Sequence, residues 1–360
     1  MLENNIFKNK RILITGNTGF KGSWLTIWLS LLRAKLYGLS NNIPTKPSLY
    51  EEANLDKIIE NNIIDIKDLT KVSNLVKTIQ PDFIFHLAAQ PLVSVSYLNP
   101  AETWQTNVMG TVNILESLRL LDKKCISVII TSDKCYENQE WEWGYRENDR
   151  LGGNDPYSAS KGSAELVIKS YIASFFSINK SSKIRVSSAR AGNVIGGGDW
   201  AKNRIVPDCI RAWSKNKPVA IKAPNSTRPF QHVLEPISGY LSLAEELATN
   251  PNFNGQSFNF GPNSDSNYKV IDVVNELSKS WPESKWEINT SDSKEYIESK
   301  LLKLNCDKAL SLLNWKPLLN FEQTILLTSK WYFDFYNNKK VNIFDQCCEQ
   351  IKFFKKIIQK

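Results

Sequence analysis

The strongest constraint on how this chain folds is a rhythm. Over the first half, apolar runs of strand length alternate with segments of helical period, the pattern of repeated βαβ units and hence of a parallel sheet. "RILIT" (11–15) reads as the first strand. "SWLTIWLSLLRA" (23–34) follows as a helix with Trp24, Ile27, Trp28 and Leu31 on one face. Further strands are expected at "KLYGLS" (35–40), "IIDI" (63–66), "FIFHLAA" (83–89), "SVIITS" (127–132) and "IRVSSARA" (184–191), with helices around 69–80, 103–121 and 156–177. Beyond about residue 195 the elements become shorter and are punctuated by Pro and Asn, which points to a smaller second domain. No internal repeat or long low-complexity linker separates the two.

Composition narrows the class. With 360 residues, 42% of them hydrophobic, the chain can bury a large core. No apolar run reaches the roughly 18 residues of a membrane span, and the N-terminus enters a strand without a signal-peptide core; a cytoplasmic location is expected. Six cysteines without a CxxC pair, and only His86 and His232, supply no zinc constellation and no GxSxG hydrolase elbow. The net charge of +8 is scattered along the chain rather than gathered into one stripe, so no nucleic-acid partner is expected. The tail "IKFFKKIIQK" reads as a solvated terminal helix, with a membrane-surface helix as the alternative.

The first strand leads into "TGNTGFKG" (15–22), where Gly16, Gly19 and Gly22 open the first helix. Such glycines let the backbone turn sharply and bring amides close to a pyrophosphate at a helix N-terminus. That strand, loop and helix come in this order makes a dinucleotide site the better reading than a plain tight turn. At the end of the second strand Ser40 stands where an acidic ribose ligand is often found, without an arginine for a 2′-phosphate, so NAD and NADP both stay open. Asp65 either approaches the adenine or caps the helix starting near Leu69.

In "NDPYSASKGSAELVIKSY" Asp155 suits the N-cap and Pro156 the first helical position. Tyr157 and Lys161 then share one face at i and i+4. An ammonium near a phenol lowers its pKa from about 10, making the tyrosine a usable base for an alcohol. The same lysine can bond a nicotinamide ribose. Alone the YxxxK spacing describes many exposed helix faces; the glycine loop upstream gives it weight.

Together "TGNTGFKG", "HLAAQ" (86–90), Asn107 and "YSASK" resemble the extended short-chain dehydrogenase/reductase (NAD-dependent epimerase/dehydratase) family. Within it, "TGNTGFKGSWL", "TSDKCYEN", "ENDRLGGNDPYSASK", "ARAGNVIGGGDWAKNRIVPD" and "RPFQHVLEPISGYL" look like the CDP-glucose 4,6-dehydratases. The resemblance implies a Rossmann-type doubly wound parallel sheet. It implies an NAD-binding domain over 1–190, with a segment near 229–250 returning to it, and a smaller C-terminal α/β nucleotide-sugar domain over 191–360. It also implies a tightly held NAD used and regenerated in each turnover. Gly16, Thr18, Gly19, Phe20 and Gly22 would meet its pyrophosphate, Asp65 and Ile66 its adenine, while Leu87, Ala88, Ala89 and Asn107 line the groove and Tyr157 and Lys161 face the nicotinamide end. Gln90, Asn193, Arg204 and Arg228 would face CDP-glucose; the two guanidiniums suit a diphosphate, unless both are surface arginines. A homodimer or homotetramer is implied, paired through helices 103–121 and 156–177.

The chemistry so implied gives Ser132, Asp133 and Lys134 a purpose. Loss of water needs an acid near the C6 oxygen and a base near C5, and a strand end projects adjacent residues where ligands bind. Asp133 is the candidate acid, Ser132 a donor to the C4 oxygen and Lys134 the candidate base. Related sugar-nucleotide dehydratases usually carry glutamate at the last position, so lysine is the departure. A base must be partly neutral; a charged Lys134 would instead stabilise the C5 enolate. The acidic, aromatic loop "ENQEWEWGYREN" (137–148) either closes over the sugar, forms an interface, or is an inert excursion whose tryptophans pack down. Competing readings are a dehydratase of GDP-mannose or dTDP-glucose, a nucleotide-sugar epimerase, which needs no Asp133–Lys134 pair, and a non-catalytic dinucleotide sensor.

Overall fold

The computed structural model describes residues 5–177, 183–263, 266, 268–289 and 301–358. Six strands of the central sheet come in chain order: β1 (Arg11–Thr15), β2 (Lys35–Ser40), β3 (Glu60–Ile63), β4 (Phe83–His86), β5 (Cys125–Ile130) and β6 (Ile184–Arg190). A seventh, Ser257–Asn259, joins beside β6, and the order across the sheet is 257–259, β6, β5, β4, β1, β2, β3. Every pairing is parallel. Chain order reverses between β1 and β4, and in sheets of this kind the crevice outside the strand ends at that point takes the ligand.

Covering both faces is what lets a strand such as β5, "CISVII", be buried throughout. One face carries α1 (Phe20–Leu31) and the helix Leu234–Thr249; Trp24, Ile27 and Trp28 of α1 are fully buried there with Phe85, Val128 and Leu241. The other carries the helices Leu69–Ile79, Gly110–Arg119 and Pro156–Tyr171, packed through Val72, Val76, Ile114, Leu118 and Ile168.

Three expectations need correction. The third strand is Glu60–Ile63, not 63–66: it is an edge strand, paired with β2 alone among the described residues and leaving Ile63 66% exposed, so it carries no apolar run. Leu31 continues the face of Trp24, Ile27 and Trp28 as expected but lies at the end of α1, 37% exposed. The helix expected over 103–121 is composite: Pro100–Trp104, a π-turn Gln105–Met109, then Gly110–Arg119. The last helix, Ile343–Ile358, is not solvated all round. Ile351 and Phe354 are buried, and Phe354 meets Trp28 of α1 edge-on with ring centroids 5.9 Å apart. Among the described residues no helix is long and apolar enough to cross a membrane.

Glu235, at the start of the helix Leu234–Thr249, fastens a distant segment. Its Oε1 accepts from the N–H groups of Leu318 and Leu319 at 2.9 and 2.7 Å. Oε2 and the Gln231 Oε1 are buried without hydrogen-bond partners and line one small cavity. Burial pushes the carboxyl up to about 7, against the pull of the two backbone donors. A raised carboxyl pKa makes stability fall as pH rises from the unfolded value of about 4.5 through 7. Glu235→Gln is therefore expected to be more stable than the parent by about 2–3 kcal/mol at pH 8 and equal to it near pH 4. Chemical denaturation at the two pH values checks this.

Candidate active site

Four strand ends converge on one edge of the sheet. After β1, Gly16 takes a left-handed φ of +73°, a region glycine enters freely, and its N–H donates to the Leu39 carbonyl at 2.7 Å. A Cβ on Gly22 would lie 2.1 Å from the Gly16 carbonyl oxygen, so the start of α1 is pressed against the turn. The N-cap is Gly19, which has no side chain to accept from the first amides. The loop thus fits a pyrophosphate: a bare helix N-terminus with backbone approachable from the crevice.

Around it the structure redistributes several expected contacts. The Thr18 hydroxyl is not turned to a ligand; it donates to the Asn42 carbonyl at 2.7 Å. Ser40 is buried and donates to Asn17 Oδ1 at 2.7 Å while receiving the Thr18 N–H. Both side chains brace the turn, whose tight geometry needs its own hydrogen bonds. Asp65 does not cap the next helix: Asp68 does, accepting from the Lys71 N–H at 3.1 Å. The Asp65 carboxylate accepts from the Lys67 N–H at 2.9 Å and stays 41% exposed. Ile66 is buried, its carbonyl held by Asn113 at 2.9 Å.

Beyond β4, Leu87, Ala88 and Ala89 are half-buried along the crevice. His86 shares a 2.7 Å hydrogen bond with the Thr15 hydroxyl, and burial with the nearby charge of Lys161 drives its pKa down to about 3. Gln90 and Asn107 were expected to face substrate and cofactor. Instead, the Gln90 N–H donates to Asn107 Oδ1 at 2.8 Å, and Asn107 Nδ2 donates to the Gln90 carbonyl at 3.1 Å and to Ser160 Oγ at 2.9 Å. The Gln90 side chain bonds Thr103 and the Leu92 N–H. The Asn107 side chain is spent on the Gln90 backbone and Ser160, clamping the β4 loop to the helix Pro156–Tyr171, and the Gln90 side chain on Thr103 and Leu92.

That helix begins as its residues dictate, with Asp155 accepting from the Ser158 N–H at 2.9 Å and Pro156 in the first turn. Tyr157 and Lys161 are both buried, 7% and 6% exposed, which excludes an ordinary solvent-facing stripe. Burial presses the Lys161 ammonium down to about 8, opposed by Cys135 and Glu165. The expected depression of the Tyr157 pKa is not found. Burial pushes the phenol up to about 12, outweighing the hydrogen bond with Ser132 and the charge of Arg204. Cation and phenol are in place, but desolvation of the phenolate dominates.

The tip after β5 lies against the same helix. Ser132 caps the short turn Asp133–Cys135, accepting from the Lys134 N–H at 3.2 Å and donating to Asp133 Oδ1 at 2.9 Å. Asp133 is 2% exposed and receives Asn193 Nδ2 at 3.3 Å. A Cβ on Gly192 would fall 1.8 Å from Asp133 Oδ2. Gly192→Ala must therefore displace this carboxylate, and misplacement on the ångström scale can cost about a hundredfold. Turnover should fall by about that factor and the thermal midpoint should drop, since overpacking against a buried side chain costs about 1–3 kcal/mol, as steady-state kinetics and calorimetry will show.

Lys134 is half-buried, and among the described residues no side chain is bonded to its Nζ. The two arginines are not ornamental surface charges. Arg228 is 9% exposed, and Arg204, bonded to Asp199 at 2.8 Å, acts electrostatically on both Tyr157 and Lys21. The loop 137–148 is anchored at Tyr145, while residues 139–143 are exposed. Tyr145 is buried, stacked between Tyr136 and Trp141, and its backbone pairs with Lys303 and Asn305. Trp143 stays exposed.

Sequence reasoning missed Lys21. Side chains in the first turn tilt toward the helix N-terminus, and this one reaches the Tyr240 hydroxyl at 3.5 Å. Burial, then Lys161 and Arg204, lower its pKa to about 8, with Asp133 opposing. A lysine inside the glycine motif was the available signal.

These residues stand in one crevice: glycine cradle, buried tyrosine–lysine pair, and a Ser-Asp-Lys tip facing them. Residues 13–328 match the family model described as GDP-mannose 4,6 dehydratase. The chain belongs to this family. It is 44% identical over 335 residues to the CDP-glucose 4,6-dehydratase of Salmonella typhimurium, covering 92% of this chain and 93% of that one. A dTDP-glucose 4,6-dehydratase of Haemophilus influenzae is 25% identical, covering 89% and 97%. Among solved structures, dTDP-glucose 4,6-dehydratase of Bacillus anthracis in complex with NAD superposes with TM-score 0.74 at 21% identity, covering 91% of this chain and 97% of that one. UDP-glucuronic acid 4-epimerase of Bacillus cereus in complex with UDP-glucuronic acid and NAD gives 0.76 at 23%, covering 90% and 99%. The fold is thus that of the family's Rossmann-type enzymes.

Proposed function

We propose that the chain converts CDP-glucose to CDP-4-keto-6-deoxyglucose and water, as a hydro-lyase with NAD as resident cofactor. The observation that carries this reading is the pairing of Lys134 with buried Asp133 on a strand tip that bonds Tyr157, in a chain 44% identical to a CDP-glucose 4,6-dehydratase.

NAD, when bound, accepts a hydride from C4 of the sugar and returns it to C6. The protein does the rest. Tyr157 takes the proton of the C4 hydroxyl, with the cation Lys161 one helical turn away and Arg204 offsetting part of the burial that disfavours its phenolate, and Ser132 donates to the C4 oxygen. The ketone at C4 acidifies C5–H, and Lys134 removes that proton. Asp133 protonates the departing C6 hydroxyl, so the C6–O bond breaks to release water. A proton returned to C5, with hydride at C6, completes the 6-deoxy product. Arg204 and Arg228 offer permanent charges for the diphosphate, and the glycine loop, Asp65, Ile66 and Leu87–Ala89 hold the dinucleotide.

Separate incubations with CDP-glucose, dTDP-glucose, UDP-glucose and GDP-mannose test this. Loss of one water from CDP-glucose alone, read by mass, is the expected result. Dehydration of another of these substrates instead would move the base assignment. Epimerised product without water loss would replace the reading by an epimerase.

The same reading includes a homo-oligomer in the cytoplasm supplying a deoxysugar for surface polysaccharide. In its support, Trp104 and Met109 on one composite helix and Leu166 and Phe175 along the tyrosine helix and its π-helical extension are all more than a third exposed. Leu166→Lys is expected to shift the protein toward monomer in light scattering.

A further inference from the structure

One buried carboxylate takes no part in the chemistry above. Glu165 is 3% exposed and continues the stripe of Tyr157 and Lys161 by one more helical turn. Its Oε1 accepts from the Thr131 hydroxyl at 2.5 Å, and its Oε2 from Ser188 Oγ at 2.8 Å and Arg190 Nη2 at 2.7 Å. Arg190 in turn donates to the Tyr136 hydroxyl at 2.7 Å and the Glu147 carbonyl at 2.9 Å. Thr131 immediately precedes Ser132, Asp133 and Lys134, and Arg190 stands just before Gly192 and Asn193. A single carboxylate therefore touches both strands that carry the reacting tip and the residue bonded to it. It does so from the helix that carries the base.

We propose that Glu165 is a positioning residue for the reaction: it registers the tyrosine helix against the ends of β5 and β6, and its negative charge holds Lys161 in the ammonium form. The proposal rests on the dehydratase reading for the reaction named, but not for the charge effect.

The charge effect follows from what faces Lys161. Glu165 on its own helix, and Cys135 on the tip only if it were a thiolate, act to keep the proton on, while burial acts to remove it. His86 on β4 and Lys21 on α1 also feel Lys161; the imidazole is neutral at working pH and Lys21 is itself a cation. Cys135 is buried and held protonated, its pKa raised far above that of a free thiol. Glu165 is thus the fixed anion of the set. Burial alone would raise its pKa, but Arg190, Thr131 and Ser188 hold the carboxyl below the usual range, so it stays charged while Lys161 titrates.

The test compares Glu165→Gln, which keeps size but loses charge and turns one acceptor oxygen into a donor, with Glu165→Asp, which keeps charge and both acceptors but loses reach. Two pH profiles are recorded for each and for the parent: NAD affinity of the stripped protein, by quenching of tryptophan fluorescence, and kcat/KM with CDP-glucose. Glu165→Gln should move the alkaline limb of both profiles down by about one pH unit, a tenfold loss on that limb. Glu165→Asp should lower kcat/KM without moving either limb. A folded Glu165→Gln variant with unmoved limbs, or equal shifts in both variants, would overturn the proposal. If Arg190, left unpaired, prevents Glu165→Gln from folding, the neutral pair Glu165→Gln with Arg190→Gln takes its place with the same expected shift and the same overturning result. A parent that binds NAD but leaves CDP-glucose unchanged would defeat the dehydratase reading alone; a shifted NAD-binding limb would still support the role of Glu165.

Discussion

Lys134→Met will bind NAD and oxidise CDP-glucose at C4, yet release no water. The near-ultraviolet absorbance of the dihydronicotinamide should rise and persist instead of decaying. In deuterated solvent the C5 hydrogen should not exchange, and the dehydration rate should fall by about 10²–10⁴, the range associated with removal of a positioned acid or base. Half-burial and the lack of a bonded side-chain partner among the described residues leave Lys134 Nζ available to a substrate, whereas Lys161 is buried beside Tyr157. Unchanged exchange at C5 in the variant would give the proton to another group and leave Lys134 as a stabiliser of the enolate.

Tyr157→Phe should stop the sequence one step earlier. No dihydronicotinamide should appear when CDP-glucose is added, because the C4 hydroxyl has lost its base, and turnover should fall by at least about 10²–10⁴. Stability should change little, since the ring stays buried and the hydroxyl removed was held by Ser132. With Lys134→Met, this variant separates oxidation from elimination. A Tyr157→Phe protein that still reduces NAD would put the base elsewhere.

Much of the architecture was legible because burial on both faces forces long apolar runs; β1, β2, β5 and β6 lie within about two residues of their expected bounds. β3 was not, because an edge strand with one covered flank needs no such run, and its "ENNI" reads as polar linker. The site divides similarly. Tyr157 and Lys161 sit one helical turn apart, and the Ser132–Lys134 tip follows a strand, so local geometry brings each group into the crevice. Whether an amide faces a ligand or a neighbour is decided by tertiary approach. Gln90 and Asn107 are 17 residues apart in the chain and satisfy each other, which spacing alone does not reveal. Lys21 and Glu165 were overlooked for the same reason. The raised pKa of Tyr157 came from desolvation, a property of the assembled crevice.

The contact between Trp28 and Phe354 also sets a timetable for birth on the ribosome. The helix carrying the glycine loop is made more than three hundred residues before the helix that covers its outer face. At about 5–20 residues per second, roughly a quarter of a minute to a minute passes between the two. Through that interval Trp28 waits for its aromatic cover, and apolar surface exposed in this way favours aggregation. A polar substitution of Phe354 would therefore act first on yield rather than on catalysis.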